Sequence, residues 1–292
     1  MEKTEHSVLS FFMAAGQTEL FREAIEKIRL LGNKYKEVSE KAGLQTRAER
    51  MRVFRWRKDP MENLAVKNID YMSNSFRPKF GKNEEIELGR IKILVKKVQN
   101  SEFELYADAG FTDRNMAVRL NEKVLREIRK GLPEDFEMPQ VVVIDFDEYG
   151  LSSKAIAGYN RETKQLFWNN KYSTKEKIEK YLKEKENWFA SVELVSPWLH
   201  EFGHKEYYDA IEKLANKRRL TYNKAKEMID RRVYDYIESK RKQNADYLSE
   251  TFGDHVGYNY PKNNFTEVIA ECNAAKETNK EAMKIMELLK EE

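Results

Sequence analysis

Two histidines, His200 and His204, stand four positions apart, and Glu201 directly follows the first of them. Residues four apart lie on the same face of a helix, one turn above the other, so both imidazoles could reach one metal ion. Glu201 would then lie beside that ion without binding it. The neighbouring Trp198 and Phe202 are apolar, which is typical of a buried helix. Because buried histidines need partners, the pattern predicts a domain packed around this helix.

The chemistry of these side chains favours zinc as the ion. Imidazole is a borderline ligand that suits zinc, and a carboxylate beside the metal is where a general base must lie to take a proton from a metal-bound water. The pattern H-E-x-x-H is typical of zinc metalloproteases, although three fixed positions in five also occur by chance. Cys272 is the single cysteine, which excludes an internal disulfide and a multi-cysteine zinc site. The ligands must therefore come from His, Asp and Glu.

A pair of glutamates near the end of the sequence supplies a candidate third ligand. Glu267 and Glu271 are four apart and share a helical face, and the three apolar residues between them predict a half-buried helix. Asn264 is a possible cap for that helix. A catalytic zinc site takes three protein ligands and leaves one position for water. The two histidines of the motif and one of these glutamates would complete it, and the other glutamate could hydrogen-bond a ligand histidine and fix its tautomer.

Two further residues have alternative interpretations. His255, in a predicted loop, could be the third ligand in place of Glu267. Asp209, five residues after His204, could orient that histidine from behind or could be a simple surface carboxylate. A metzincin arrangement is excluded, because it needs a glycine and a third histidine soon after the motif, and the sequence there reads Lys-Glu-Tyr-Tyr-Asp-Ala.

The combination of His-Glu-Phe-Gly-His, a later Glu-x-x-Ala-Glu and a tyrosine seven residues before the first of those glutamates resembles the anthrax lethal factor type of zinc peptidase, in the gluzincin branch. It is also similar to the peptidase-like domains of some phage and prophage minor head proteins. The resemblance covers roughly residues 140–275. It implies the following roles: zinc ligands His200, His204 and Glu267, general base Glu201, a carboxylate that supports a ligand histidine at Glu271, and an oxyanion-stabilising tyrosine at Tyr260, with Tyr258 as its alternative in a different loop register.

The resemblance implies a zinc-dependent endopeptidase that hydrolyses peptide bonds through a metal-activated water. Its cofactor would be Zn²⁺ and its partner a peptide or protein substrate. The alternative is a phage or prophage minor head protein, a virion structural protein that retains a zincin-like fold, whose partners would be other virion proteins. The presence of Glu201 and Tyr260 favours the enzyme, because a purely structural zinc site needs neither.

The hydrophobic pattern predicts an α+β fold in two parts. A helical N-terminal region with a basic segment and a linker is expected over 1–85. The resemblance implies that 86–292 form a zincin-like metallopeptidase domain, with a small twisted sheet plus active-site helices. Predicted elements of that domain are two strands within 88–110, a helix over 116–130, a strand over 140–146, a hairpin over 155–168, a capped helix after 174 and long charged helices over 211–245. The second hairpin strand is the candidate sheet edge for pairing with an extended substrate.

Composition limits the other classes of function. The 292 residues carry a formal net charge of +3, which calls for neither a nucleic-acid nor a membrane partner. Arginines and aromatic residues alternate over 47–58, but one basic patch on a near-neutral chain makes nucleic acid an unfavoured partner. No apolar run approaches the roughly 18 residues of a membrane span. Acidic residues before the short apolar patch at 8–15 do not resemble a secretory leader, so a cytoplasmic or virion-associated protein is expected.

Overall fold

The computed structural model describes residues 76–290, all of which belong to the second of the two units into which the chain divides, residues 60–292. The predicted helices and the basic segment before residue 76 lie outside the described residues. The strands are β1 (Phe80–Leu88), β2 (Ile91–Val98), β3 (Leu105–Asp108), β4 (Gln140–Ile144), β5 (Ala157–Asn160) and β6 (Gln165–Asn169). The helices are α1 (Met116–Lys130), α2 (Lys175–Glu184), α3 (Ser196–Arg218), α4 (Tyr222–Arg241), α5 (Tyr247–Phe252), α6 (Asp254–Asn259), a short 3-10 turn (Tyr260–Lys262), α7 (Phe265–Ala275) and α8 (Lys280–Leu288).

The strands form one mixed sheet in the order β1-β2-β3-β4-β6-β5, which confirms the α+β class. The β3–β4 and β4–β6 pairs are parallel and the others antiparallel. The predicted hairpin forms, but the expectation that its second strand lies at the edge is wrong. All five residues of β6 are buried, because β6 lies between β4 and β5, so the edge strand is β5.

The strand β1 was not expected from the sequence. It begins at Phe80, within the segment that lacked periodicity and was predicted to hold the linker. Most of β1 is exposed at the other edge of the sheet, and its register with β2 shifts between Phe80 and Asn83. An exposed edge strand needs no alternating apolar residues, so the pattern that identifies a half-buried strand is missing.

The face of the sheet that carries α1, α2 and α3 holds the core that fixes the position of α3. Trp168 of β6 and Trp198 of α3 are fully buried, and their rings stack with centroids 3.8 Å apart. The Trp198 indole donates a hydrogen bond of 2.7 Å to Asn121 of α1. The helix α1 is capped by Asn115, whose side chain accepts from the Val118 amide at 3.0 Å. Both tryptophans thus anchor the first turn of α3 to the sheet.

The helix α3 begins without a side-chain cap. Val195 is the capping residue and makes no side-chain capping bond, whereas Ser196 lies inside the first turn and its hydroxyl hydrogen-bonds Ser191 at 2.7 Å. A second core lies on the far side of α3, where apolar residues of α4, α5, α7 and α8 pack together. Within the described residues, no helix combines the length and apolar character that a membrane crossing needs.

Candidate metal centre

The two histidines of α3 lie on one face of the helix, as the spacing predicts. The His200 and His204 rings are 4.9 Å apart between centroids and nearly perpendicular, at 87°. One ligand atom from each of these rings and from Glu201 can be chosen so that all three atoms lie within 4.8 Å of one another. The side chains of His200 and His204 are only 16% and 10% exposed, so the group is set below the surface.

A close approach of α7 to α3 brings the second half of the site to these histidines. It occurs at Gly203, where an added Cβ would lie 2.6 Å from the Ala270 Cα and 2.8 Å from the Asn273 Cβ. The Asn273 amide also donates a hydrogen bond of 2.6 Å to the Leu199 carbonyl of α3. Only a residue without a side chain permits this backbone separation, so the glycine within the histidine motif sets where the glutamates of α7 stand.

Glu267 of α7 faces both histidines. Its Oε2 lies 3.4 Å from the His200 Nε2 and its Oε1 lies 3.9 Å from the His204 Nε2. Burial alone would raise the pKa of Glu267, but the hydrogen bond from His200 and the neighbouring imidazole charges lower it to about 2. Glu267 is therefore a carboxylate that meets the two histidines from a separate helix.

Glu271, one turn further along α7, holds the site from behind. It is fully buried and accepts hydrogen bonds from the Ala190 amide at 2.7 Å, from the His200 Nδ1 at 3.1 Å and from the His255 Nδ1 at 3.0 Å. Burial opposes its charge, but the bonds from the two imidazoles lower its pKa to about 2. A charged carboxylate can only accept hydrogen bonds, so the imidazoles of His200 and His255 both carry a proton on Nδ1.

The electrostatics of the two motif histidines differ although they are neighbours. Burial opposes the protonation of His200, but its hydrogen bonds to Glu267 and Glu271 outweigh burial and raise its pKa. Burial and the charge of His200 together lower the pKa of His204 to about 3. His200 is thus held in its protonated form between two carboxylates, whereas His204 is held neutral.

Glu201 is placed as a proton acceptor. Its side chain is buried, and its Oε2 has no hydrogen-bond partner among the described residues. Burial raises the pKa of Glu201 to about 7, against the lowering effects of the His200 charge and of a hydrogen bond from the Tyr159 backbone. A carboxylate with a pKa near neutrality is suited to exchanging protons at neutral pH. Tyr159 belongs to β5, so the edge strand of the sheet runs beside this carboxylate.

Tyr260 has a hydrogen-bond partner on α4. Its hydroxyl donates a hydrogen bond of 2.8 Å to Glu238 of α4, and its ring stacks on Tyr234 at 6.0 Å. It is part of the buried helical core. The assignment of Tyr260 to the oxyanion stays a prediction, and the Tyr260 hydroxyl is engaged by Glu238. The alternative, Tyr258, is 56% exposed, and its ring lies 5.9 Å from that of Trp188.

Asp209 does not support His204 either. Its carboxylate pairs with Lys205, four residues earlier on α3, and its side chain is 41% exposed. The His204 Nδ1 is buried and has no hydrogen-bond partner among residues 76–290. Five positions along a helix place Asp209 well around the axis from His204, so the interpretation of Asp209 as a surface carboxylate is the one the structure supports.

His255 is the site residue whose position the sequence left open. It lies on α6, with its Nδ1 on Glu271 and its Nε2 3.9 Å from the Glu267 Oε2. Three of the four histidines of the chain therefore meet at these two glutamates, and His255 joins Glu267 instead of replacing it. The sequence did offer one signal for His255, namely that the chain has only four histidines. A residue type that is so scarce is a candidate for the same site as the two histidines of the motif.

The arrangement fits a divalent metal ion. Zinc binds imidazole nitrogen and carboxylate oxygen at about 2.0–2.2 Å, which separates neighbouring ligand atoms of a tetrahedral site by roughly 3.3–3.6 Å. The imidazole-to-carboxylate distances of 3.4 and 3.9 Å lie close to that range. The protonated His200 donates from Nδ1 to Glu271 and from Nε2 to Glu267. A metal ion that replaced the Nε2 proton would be held between that nitrogen and the Glu267 carboxylate.

A cavity of about 220 Å³ opens beside this group. Apolar side chains of β5, α2 and the loop before α3 form its walls, and His200, Glu201 and His255 line it together with Ile156, Leu182 and Phe189. A ligand in the cavity would thus touch apolar surface on one side and the titratable cluster on the other.

Comparisons of the chain with protein-family models, with curated proteins and with solved structures found no match.

Proposed function

We propose that this domain is a zinc-dependent peptidase with a zincin-like arrangement. One observation carries the proposal: Glu267, on a separate helix, faces the Nε2 atoms of His200 and His204, while Glu201, whose Oε2 has no hydrogen-bond partner among residues 76–290, lies beside them. Structural zinc sites close with four protein ligands and need no buried carboxylate next to the ion. The orphaned Glu201 oxygen therefore supports hydrolysis over metal storage.

Each residue of the site has a place in the proposed reaction. His200, His204 and Glu267 would hold the zinc, and Glu271 would keep His200 in the tautomer that presents Nε2. Zinc, when bound, lowers the pKa of a coordinated water and polarises a carbonyl. Glu201 would accept the proton of the attacking water and return it to the leaving amine, which its pKa near 7 permits.

The sheet edge supports an extended peptide as the substrate. The strand β5 pairs with β6 on one side, and on its other side it pairs with no strand of residues 76–290. An extended peptide can add to such an edge through main-chain hydrogen bonds. Because Tyr159 of β5 lies next to Glu201, a peptide added there would pass the proton acceptor.

The alternative is a structural role for the site, as in a virion protein, and one observation supports a structural role. A tyrosine hydroxyl facing the ion would support an enzyme, but the Tyr260 hydroxyl donates a hydrogen bond to Glu238. A structural role predicts zinc binding without hydrolysis, so the same experiment separates the two proposals.

The test compares the parent chain with Glu201→Gln, using Glu212→Gln as the matched control on the same helix. Glu212 pairs with Lys164 and is 37% exposed. We expect about one zinc per chain in all three proteins. Hydrolysis of a peptide library should fall at least 100-fold in Glu201→Gln alone. Zinc-loaded parent protein that cleaves no peptide would favour the structural alternative, and Glu201→Gln with full activity would refute the mechanism.

A further inference from the structure

His255 and His200 make the same pair of contacts. Each ring places its Nδ1 on the Glu271 Oε1, at 3.0 Å for His255 and 3.1 Å for His200. Each ring also directs its Nε2 to the Glu267 Oε2, at 3.9 Å and 3.4 Å respectively. The two rings are inclined by only 30°. His255 therefore repeats, from α6, the contacts that make His200 a candidate ligand.

These contacts determine which atom of His255 is available to a ligand. The Glu271 carboxylate only accepts hydrogen bonds, so the Nδ1 of the neutral ring carries the proton and the Nε2 carries a lone pair. That lone pair faces a carboxylate oxygen of Glu267, which is also an acceptor. Their separation of 3.9 Å is too long for a hydrogen bond that shares a proton, but it is close to the spacing of two ligands of one metal ion.

We propose that His255 is a fourth ligand of the metal ion, and that it must leave the ion before a substrate can be hydrolysed. The proposal rests on the zinc site of the proposed function and adds regulation to it. Three imidazoles and Glu267 make a four-coordinate set, and a catalytic zinc site must keep one position open for water or substrate. With His255 bound, that position is filled and the resting site is closed.

The surroundings of His255 supply a way to open the site. The helix α6 has only six residues, and its start is tied to the loop before α3 by the His255 amide on the Trp188 carbonyl at 2.8 Å. The Trp188 ring lies 5.2 Å from the His255 ring and is partly exposed. Trp188 and His255 line the same cavity as Glu201, so a peptide side chain that fills it contacts His255 as well as the proton acceptor.

The experiment measures metal affinity in the full-length chain, by competition with a chelator, for the parent, His255→Ala and His255→Asn. The asparagine amide can replace the Nδ1 donor to Glu271, but it offers nothing at the position of Nε2. We expect both variants to bind zinc at least tenfold more weakly than the parent. The Co²⁺-substituted parent should show the intense visible absorption of a four-coordinate site, and both variants should show a weaker band as water enters. At saturating zinc, His255→Asn should hydrolyse peptide faster than the parent.

Several outcomes would overturn the inference. Parent-like zinc affinity in His255→Asn, with weak binding in His255→Ala, would show that His255 only positions Glu271. Parent-like affinity and Co²⁺ absorption in both variants would show that it is no ligand, and slower hydrolysis by His255→Asn at saturating zinc would refute the gating. His204→Ala separates the two proposals: if it loses zinc while the His255 variants keep it, only this inference fails. If the parent binds no zinc, both fail.

Discussion

The substitution Gly203→Ala tests whether the close approach of α3 and α7 builds the site. The new Cβ would lie 2.6 Å from the Ala270 Cα, whereas two carbon atoms pack best at about 3.5–4.0 Å. The helices must therefore separate by about 1 Å. Metal-ligand distances tolerate only about 0.2 Å, and Glu267 lies one turn from Ala270 on α7. We expect zinc affinity to fall by about 10–100-fold, the loss typical of a misplaced ligand support.

The effect of the same substitution on stability is smaller, because two terms oppose each other. Overpacking costs about 1–3 kcal/mol, and replacing a helical glycine by alanine returns about 1 kcal/mol. The net cost is therefore about 0–2 kcal/mol, and the protein should stay folded while it loses zinc.

Gly257→Ala is the matched control, because Gly257 lies in α6 and its added Cβ would meet only the Ser249 Cβ, at an ordinary 3.7 Å. Zinc affinity by chelator competition and the free energy of unfolding by urea titration measure both effects. We expect Gly257→Ala to keep parent zinc affinity. If Gly203→Ala also kept it, the argument that Gly203 sets the distance between the helices would be refuted.

Two further predictions follow from the core contacts. Tyr260→Phe removes the hydroxyl that donates to Glu238, so it should lower the free energy of unfolding by about 1 kcal/mol and leave peptide hydrolysis unchanged. A large loss of hydrolysis in a stable protein would instead support the oxyanion role of Tyr260. Trp198→Ala removes the ring that stacks on Trp168 and donates to Asn121, so urea titration should show a free energy of unfolding lower by about 3–5 kcal/mol. A decrease below about 1 kcal/mol would contradict the role of this stack as the anchor of α3.

Local patterns were sufficient for most of the elements that surround the site. The helix over 116–130, the strand that begins at Gln140 and the capped helix after Thr174 all form where periodicity and capping residues place them. Each of these signals depends on neighbours within one or two turns of the chain. The polar edge strand β1 has no such signal, since its pairing with β2 is made by the backbone.

The site residues divide along the same physical line. The four-residue spacing of His200 and His204, and that of Glu267 and Glu271, fixes a shared helical face whatever the rest of the fold does. The direction of Tyr260 depends on its packing against α4, a helix whose contact with it no spacing in the sequence encodes. The sequence left the partner of Asp209 open for a related reason. Asp209 lies five residues after His204 and only four after Lys205, and the structure pairs it with Lys205.

The assembly of the site therefore depends on one residue that has no side chain to contribute. The spacing of the histidines gives two imidazoles on one face of α3, and the spacing of the glutamates gives two carboxylates on α7, but neither pattern brings the helices together. Gly203 does so from inside the histidine motif, because its missing Cβ is what lets the Ala270 backbone approach. Once the helices touch there, Glu271 can reach both His200 and His255, and the third imidazole joins the site without any motif of its own. A sequence search for candidate ligand residues alone would pass over Gly203, the position that lets them meet.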